Sequence, residues 1–412
     1  MLFCPTVVSM NTNTESNIRE VTPSELEKMD ENEWWELAAS NETSPEILDI
    51  LSRSRHRHIR ELVARNHNAA AKTLRRLSKN TLWVRREVAW NTLTPTDVLD
   101  QLASDRDADV RASVVYNASA SPETVATLSA DKHWKVRAAV AYTLKMPTGV
   151  LTRLSEDQDP GVRLGVARNP NAPTGVLTCL SEDQAPSVRQ WVARRQNTPA
   201  EVLTKLSEDE NWSVRTLVGE NPNTPTETLT RLSEDKDPGV RRGVVRNPLT
   251  PTEILTRLSE DQDPGVRQWV ACRQNTPTGI LTRLSEDQDP SVRQGVAVNP
   301  NAPAEVLDRL SGDEDPDVRR RVARHPNAPA EVLDRLSGDE HSSVRQGVAV
   351  NLNTPAEVLA QLGEDPDVRR EVARHPNTPT ETLTRLGEDQ DPSVWRIAAQ
   401  ALQARRQKSS SV

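Results

Sequence analysis

The feature of this sequence that most constrains its fold is an internal repeat of 26 residues. Val-Arg dipeptides recur at this spacing along most of the chain, with their arginines at Arg85, Arg111, Arg137, Arg163, Arg189, Arg215, Arg241, Arg267, Arg293, Arg319 and Arg345. Arg60 precedes this series by 25 residues and Arg369 follows it by 24, so the repeat tolerates single-residue changes in length. Such a period is typical of stacked modules that bury their apolar faces against their neighbours.

Each repeat predicts two short helices. Thr250-Pro251 predicts the start of the first, with the threonine as N-cap, and this helix ends near Ser259. Asp263-Pro264 predicts the start of the second by the same combination of cap and proline. Helices of about nine residues are too short to be stable alone. We therefore expect an all-α superhelical solenoid of about 14 two-helix repeats, each of 26 residues.

Three recurring motifs carry a family resemblance: Leu-x-x-Leu-Ser-x-Asp, Val-Arg-x-x-Val-Ala and Asn-Pro-Asn-x-Pro. In these motifs the chain resembles the leucine-rich repeat variant family, which is related to HEAT-type helical repeats. The resemblance implies a superhelix in which an α-helix alternates with a short helix, often of the 3₁₀ type. Some members also carry a cysteine-rich domain that binds a cluster. Here the cysteines are Cys4, Cys179 and Cys272, far apart in the sequence, so we expect no cofactor.

Four segments are predicted along the chain. Residues 1–20 are expected to be a flexible segment, 21–45 a degenerate N-terminal capping repeat, 46–402 the solenoid and 403–412 a basic disordered tail. Tryptophan takes the place of the repeated arginine in both terminal repeats, at Trp35 and Trp395. These broad rings are expected to cover the open ends of the stack.

The repeated charged residues predict two structural features. The Val-Arg arginine shares a helix face with apolar residues, and an aspartate recurs six residues before it, as in Asp105 and Arg111. A buried guanidinium needs such a partner, so we expect a structural ladder of these pairs rather than a ligand site. On the first helix, Glu253 precedes Arg257 by four residues. This spacing predicts ion pairs within the helix, and so an exposed surface whose charges cancel. The recurring asparagines, such as Asn169, are expected to tie loops together.

The candidate binding surface is the outer column of the second helices, at the positions one and five residues after each repeated arginine. Its candidate residues are Trp90, Tyr116, Tyr142, Arg168, Arg194, Arg242, Arg246, Arg320, Arg324, Arg370 and Arg374. With Arg65 and Arg86 the column holds ten arginines against two acids, Glu61 and Glu220, although the whole chain has a net charge of -8. This asymmetry favours a binding surface over a merely solvated one.

These observations predict a non-enzymatic scaffold that holds an acidic protein or peptide along the outer column. The alternative is nucleic-acid binding through the same residues, with the aromatic rings stacking on bases and the arginines contacting phosphates. An enzyme of the HEAT-like DNA-repair kind requires a catalytic carboxylate in an aromatic cleft, and no such carboxylate is identified. We expect no metal site, because nothing completes a ligand set with His56, His58 and His67. A cytoplasmic location without a membrane partner is expected, since no apolar run is long enough to span a bilayer.

Overall fold

The computed structural model describes residues 23–26, 28–144 and 146–409, and this part of the chain forms α-helices joined by short loops. The flexible segment expected at residues 1–20 lies outside the described residues. The first fifteen helices are α1 (Pro23–Leu26), α2 (Glu31–Ala39), α3 (Pro45–Leu51), α4 (Arg57–Arg65), α5 (Ala71–Leu77), α6 (Leu82–Trp90), α7 (Thr96–Leu102), α8 (Ala108–Tyr116), α9 (Pro122–Leu128), α10 (Trp134–Tyr142), α11 (Thr148–Leu154), α12 (Pro160–Arg168), α13 (Thr174–Leu180), α14 (Pro186–Arg194) and α15 (Ala200–Leu206).

The remaining helices continue the same alternation of short and longer elements. They are α16 (Trp212–Glu220), α17 (Thr226–Leu232), α18 (Pro238–Arg246), α19 (Thr252–Leu258), α20 (Pro264–Cys272), α21 (Thr278–Leu284), α22 (Pro290–Ala297), α23 (Ala304–Leu310), α24 (Pro316–Ala323), α25 (Ala330–Ser337), α26 (Ser342–Val350), α27 (Ala356–Leu362), α28 (Arg369–Arg374), α29 (Thr380–Leu386) and α30 (Pro392–Ser409). The pairs from α3 with α4 to α29 with α30 make 14 repeats, as the sequence predicts.

Both helices of the repeat are α-helices. The first has seven residues in most repeats and the second has nine, against nine for both in the sequence prediction. The 3₁₀ helix that the family resemblance implied does not occur between residues 23 and 409 where the structure describes them. The all-α solenoid class is confirmed, and the alternation of helix types is not.

The caps of the two helices differ from each other. Asp263 caps α20 as predicted, because its carboxylate accepts the Val266 N–H at 2.9 Å and Pro264 occupies the first turn. The prediction for Thr250 is wrong. Pro251 is itself the N-cap of α19, and the Thr250 hydroxyl donates instead to the carbonyl of Val244, at the end of the preceding helix. The threonine therefore ties the start of one repeat to the second helix of the preceding repeat.

The core is a column of small aliphatic side chains between neighbouring second helices. Val266 and Val270 of α20 are fully buried, and Leu255 and Leu258 of α19 are almost so. Glycine allows the second helices to approach one another closely at some steps. A Cβ atom at Gly243 would lie 2.6 Å from the carbonyl oxygen of Thr216, so this contact between α16 and α18 requires glycine.

Contacts divide the chain into two compact units, residues 1–176 and 177–412. The sequence predicted one continuous solenoid over 46–402, and the 26-residue period does continue across the division without a change. Each unit is an array of the same two-helix repeats. We therefore describe the outer column separately in each unit.

The described part of the C-terminal segment is helical. We expected a disordered tail over 403–412, but α30 extends to Ser409. Glutamine, alanine, arginine and lysine fill most of this stretch without a proline, and all of them favour helix. Arg405 also donates to the carbonyl oxygen of Pro376 at 2.7 Å. At the other end, the Trp34 indole donates to the Leu26 carbonyl at 3.0 Å. The end-covering role of Trp35 and Trp395 stays a prediction.

Candidate interaction surface

The repeated arginines form a buried ladder between adjacent repeats. Arg111 binds both carboxylate oxygens of Asp131, at 2.5 and 2.7 Å, and it also donates to the backbone carbonyl of Asp105 at 2.7 Å. The sequence analysis had paired Arg111 with the Asp105 carboxylate, which is wrong. That carboxylate already binds Arg85 of the preceding repeat at 2.6 Å. The same pairing joins Arg137–Asp157, Arg189–Asp209, Arg215–Asp235, Arg241–Asp261, Arg267–Asp287, Arg293–Asp313, Arg319–Asp339 and Arg345–Asp365.

This ladder is structural. The side chains of Arg111 and Asp131 are only 7% and 8% exposed, and the carboxylate also accepts the His133 N–H at 2.8 Å. Burial alone would raise the pKa of the Asp131 carboxyl, but its bonds to Arg111 and to the His133 amide outweigh that effect and hold the pKa below its usual value. The ladder arginines are therefore engaged inside the protein, as the sequence analysis expected.

A second ladder ties the loops together. The Asn117 side chain donates to the carbonyls of Ala89 and Asn91, at 2.7 and 2.9 Å, and accepts the Ser119 N–H at 2.8 Å. The predicted loop-tying role is confirmed, because equivalent bonds recur at Asn66, Asn91, Asn169, Asn221, Asn247, Asn299 and Asn351.

Histidine replaces asparagine at two steps of this ladder. His325 Nε2 lies 2.9 Å from the Asn299 carbonyl, and its Nδ1 accepts the Asn327 N–H at 3.1 Å. His375 makes the equivalent bond to Asn351. Since Nδ1 accepts, the ring is neutral with its proton on Nε2. Burial lowers the pKa of His325, opposed by the bond to Asn299.

The first helices bind across repeats as well. Arg257 pairs with Glu234 of the preceding repeat at 2.6 Å rather than with Glu253, so the predicted pairing within the helix is wrong. Arg257 also donates at 3.2 Å to the carbonyl of Thr230 in the last turn of α17, where a cation is favoured. Equivalent ion pairs are Lys205–Glu182, Arg231–Glu208, Arg283–Glu260, Arg309–Glu286 and Arg385–Glu364.

In the first unit the outer column is aromatic. The rings of Trp90 and Tyr116 stack in parallel, with centroids 5.5 Å apart and an angle of 4° between their planes. About half of each of these two residues is exposed, 50% for Trp90 and 47% for Tyr116. Arg168 lies over the Tyr142 ring, 5.3 Å from its centroid. The four predicted residues of this unit therefore form two pairs, Trp90 with Tyr116 and Tyr142 with Arg168.

The charge of the column in this unit is smaller than the sequence count suggested. Glu87 binds Arg65 at 3.1 Å and Arg86 at 3.4 Å. Its position, two residues after a repeated arginine, was left out of the count. Glu87 lies nearly buried between the two arginines, where it neutralises part of their charge.

In the second unit some arginines of the column also have partners. Arg246 binds Glu220 at 2.7 Å and lies over the Trp269 ring, 4.2 Å from its centroid. Arg194 lies over the ring of Trp191 at 5.6 Å. Arg320 binds Asp317 one helical turn earlier, at 2.8 Å.

Four arginines of the second unit make no ion pair within the described part of the chain: Arg242, Arg324, Arg370 and Arg374. The column also exposes apolar side chains between its arginines. Val298 is 43% exposed and Val350 46%. The surface therefore combines unpaired positive charge with apolar patches.

Trp134 and Trp212, each at the start of a second helix, pack between repeats. A Cβ atom at Gly161 would lie 3.3 Å from the Trp134 ring, and one at Gly239 would lie 3.4 Å from the Trp212 ring. Each ring therefore lies against the start of the next second helix. Trp83 instead lies beneath the guanidinium of Arg86, 4.7 Å from it, and forms part of the basic surface of the first unit.

Glu31 lies between two of the histidines considered for a metal site. Its carboxylate is 2.9 Å from His56 Nδ1 and 3.0 Å from His58 Nε2, and it joins α2 to the start of α4. Among residues 23–409, as far as the structure describes them, no group of three or more ligating side chains has the arrangement of a metal site. In the same part of the chain, no helix combines the length and the apolar character that crossing a bilayer requires.

The fold and its two ladders define a helical-repeat protein. The family model described as leucine rich repeat variant matches residues 290–315, 316–341 and 366–391. A solved structure described as a leucine-rich repeat variant with a novel repetitive protein structural motif is 30% identical to this chain. The match covers 54% of this chain and 87% of that chain, with a TM-score of 0.43. On this sequence similarity, the chain belongs to the leucine-rich repeat variant family.

More distant helical proteins are also similar. A Kap121p mutant is 12% identical, with 94% of this chain and 55% of that chain covered and a TM-score of 0.45. An engineered protein is 18% identical, with 87% of this chain and 98% of that chain covered and a TM-score of 0.29. No curated protein sequence matches this chain. At these scores neither structure bears on what this protein binds.

Proposed function

We propose that this protein is a non-enzymatic scaffold that binds an acidic protein or peptide along the outer column. The partner-binding residues are those predicted from the sequence: Trp90, Tyr116, Tyr142, Arg168, Arg194, Arg242, Arg246, Arg320, Arg324, Arg370 and Arg374. The observation that carries the proposal is the set of four arginines without ion pairs in the described chain, in a protein whose net charge is -8. A cytoplasmic location is part of the same proposal.

The contrast between the two kinds of arginine supports a binding role. Ladder arginines bind a carboxylate with both ends of the guanidinium, and the arginines of the first helices bind glutamates of the preceding repeat. In both of these sets the protein itself supplies the matching acid. Arg324, Arg370 and Arg374 have no such acid in the described chain, so an acidic partner could supply it.

Two features favour a polypeptide over a nucleic acid as the partner. Trp90 and Tyr116 each cover one face of the other ring, and Arg168 covers a face of Tyr142, which leaves less ring surface for stacking on bases. Val298 and Val350 add apolar surface, which suits a protein interface better than a phosphate backbone.

The test is affinity capture from a lysate of the source organism, comparing the wild type with a variant carrying Arg324→Gln, Arg370→Gln and Arg374→Gln. The control variant carries Gly149→Glu, Gly175→Glu and Gly279→Glu on the first helices. A Cβ atom at any of these glycines has open space around it. Both variants change the net charge equally, so a general charge effect would appear in both.

We expect polypeptides that bind to the wild type and to the glycine variant, survive nuclease treatment, and are lost with the arginine variant. Capture that does not depend on the three arginines would contradict the proposal. Recovery of nucleic acid instead, with an affinity that falls steeply as salt rises, would favour the alternative function. Unchanged circular dichroism of both variants, with no decrease in either melting temperature, would exclude misfolding as the cause.

A further inference from the structure

One hollow in the second unit concentrates positive charge. It lies where α24 meets the end of α22, has a volume of about 250 Å³, and is lined mainly by Val298, Arg320, Arg321, Arg324, His325 and Pro326. His325 Nε2 is already bound to the Asn299 carbonyl, so the three guanidinium groups are the charged donors of the hollow. We call this feature the α24 hollow.

The two neighbouring repeats carry smaller or uncharged side chains at these positions. Both α22 and α26 carry Gln-Gly-Val-Ala-Val where α24 carries Arg-Arg-Val-Ala-Arg, over 294–298, 346–350 and 320–324 respectively. A Cβ atom at Gly347 would lie 2.9 Å from Ala323 Cβ and 3.4 Å from Arg324 Cγ, so glycine there allows α26 to pack closely on α24 beside Arg324. Neither neighbouring pentapeptide contains an acid.

The positive charge of the hollow is incompletely matched. Asp317 binds Arg320 at 2.8 Å, and it is the only ion-pair partner of Arg320, Arg321 and Arg324 in the described chain. The Nε atoms of Arg320 and Arg321 are buried and have no hydrogen-bond partner in the protein. Three guanidinium groups with one carboxylate leave the hollow with unmatched positive charge, which favours an anion there.

We infer that the α24 hollow binds a carboxylate of a partner polypeptide, next to an aliphatic side chain of the same partner. Guanidinium groups match the planar carboxylate with paired hydrogen bonds. Val298, 43% exposed at the edge of the hollow, provides the apolar contact. This inference rests on the proposed function, because it states which chemical group the outer column recognises. Inorganic phosphate shares the charge but lacks the aliphatic part.

The experiment uses the full-length protein and ligand-observed saturation-transfer NMR. The probe is the blocked peptide acetyl-Gly-Val-Leu-Glu-Val-Gly-amide, compared with the same peptide containing Gln in place of Glu, and inorganic phosphate is the competitor. We expect the Glu peptide to bind at least tenfold more tightly than the Gln peptide, and its aliphatic signals to receive saturation. Equal binding of the two peptides would overturn the inference, as would phosphate binding without peptide binding.

The variants are Arg320→Gln with Arg324→Val at the hollow and, as the control, Arg231→Gln with Arg283→Gln on the first helices. Each removes two guanidinium groups, and Gln and Val are what α22 and α26 carry at the two positions of the hollow. The first pair should abolish binding of the Glu peptide. The second pair should leave its affinity within about twofold, because Arg231 and Arg283 already bind Glu208 and Glu260. Equal losses in both variants would contradict a site at α24.

The outcome separates this inference from the proposed function. Peptide binding at the hollow, without any captured protein that depends on the outer column, would support the inference and contradict the scaffold function. Captured proteins that are lost with the triple arginine variant, with no peptide binding to wild-type protein, would support the scaffold function and overturn the inference.

Discussion

At the scale of single residues, the arginines and aspartates of the buried ladder bind partners in the neighbouring repeats. Arg111 obtains its carboxylate from Asp131, in the following loop, while Asp105 serves the preceding arginine. A pair that connects two repeats stabilises their stacking, whereas a pair within one repeat would not. The ladder is therefore part of the interface energy between repeats.

Breaking one step of the ladder should be costly. Asp131→Asn keeps an acceptor for the His133 amide but removes the charge that matches the buried Arg111 guanidinium. We expect a loss of about 3 kcal/mol in the free energy of unfolding, measured with urea. The control is Asp109→Asn, whose partner Lys135 is 3.5 Å away and half exposed, and its loss should stay below about 0.5 kcal/mol. Equal losses would contradict a buried ladder.

The two ladder histidines should make stability depend on pH near neutrality. Their pKa values are lowered by burial, opposed by bonds to backbone carbonyls, so the unfolded chain binds protons more readily than the folded chain. Stability should therefore fall as the pH decreases through the usual histidine range around 6.5.

The measurement is the melting temperature between pH 7.5 and 5.5, for the wild type and for His325→Asn with His375→Asn. Asparagine occupies this position in other repeats and makes equivalent bonds, so the variant should fold. It should lose less stability over this range than the wild type. A loss as large as that of the wild type would show that other groups are responsible.

At the scale of helices, local sequence signals determined the second helix better than the first. Asp263-Pro264 starts α20 as predicted, because the cap and the proline both act within one turn. Thr250 has an equally good capping side chain, but the nearer Pro251 takes the cap position and the hydroxyl binds the preceding helix. The choice between two partners for Thr250 depends on how the loop folds back, which the local sequence does not specify.

The first helices should be stabilised by filling their exposed glycines. Gly279 lies in the first turn of α21 with open space around its missing side chain, at a position where α19 carries Glu253. Gly279→Glu should raise the free energy of unfolding by about 1 kcal/mol, since glycine disfavours helix and an acid is favoured near the N-terminus. Urea unfolding tests this. Gly243→Glu is the contrasting control and should destabilise the protein, because the position is closed by the Thr216 carbonyl.

At the scale of the whole molecule, the repeated ladder makes acid resistance a collective property. Asp105, Asp131, Asp157, Asp235 and Asp339 all have a carboxyl pKa below the usual value. In each, burial acts to raise the pKa, and the bonds to arginine and to a backbone amide outweigh it. The unfolded chain takes up protons at higher pH than the folded one, so the stability contributed by the ladder is lost as acidity increases.

Helicity should therefore be retained at pH 5 and lost as the pH falls below about 4, where the unfolded carboxyls protonate. Circular dichroism at increasing acidity measures this transition. Asp131→Asn combined with Asp157→Asn should lose helicity at a higher pH than the wild type, because two steps are already missing. The double substitution Asp109→Asn with Asp334→Asn, at exposed positions, should leave the transition unchanged.

The sequence by itself determined the period, the number of repeats, the all-α class and the residue types of both ladders. It also predicted the positions of the outer column from helical periodicity, and their role in binding stays a prediction. It could not show that Glu87 neutralises Arg65 of the preceding repeat, or that Val298 of α22 and the arginines of α24 line one hollow. Both features depend on contacts between neighbouring repeats.

The choice of partners was decided only by the tertiary structure. In a chain with a 26-residue period, an aspartate six residues before an arginine recurs 20 residues after it. The two pairings, within a repeat and between repeats, are therefore indistinguishable in the sequence. The stacking of the helices decides between them, because it brings the guanidinium of one repeat against the loop of the next. The aspartate of each repeat then binds the arginine of the preceding repeat.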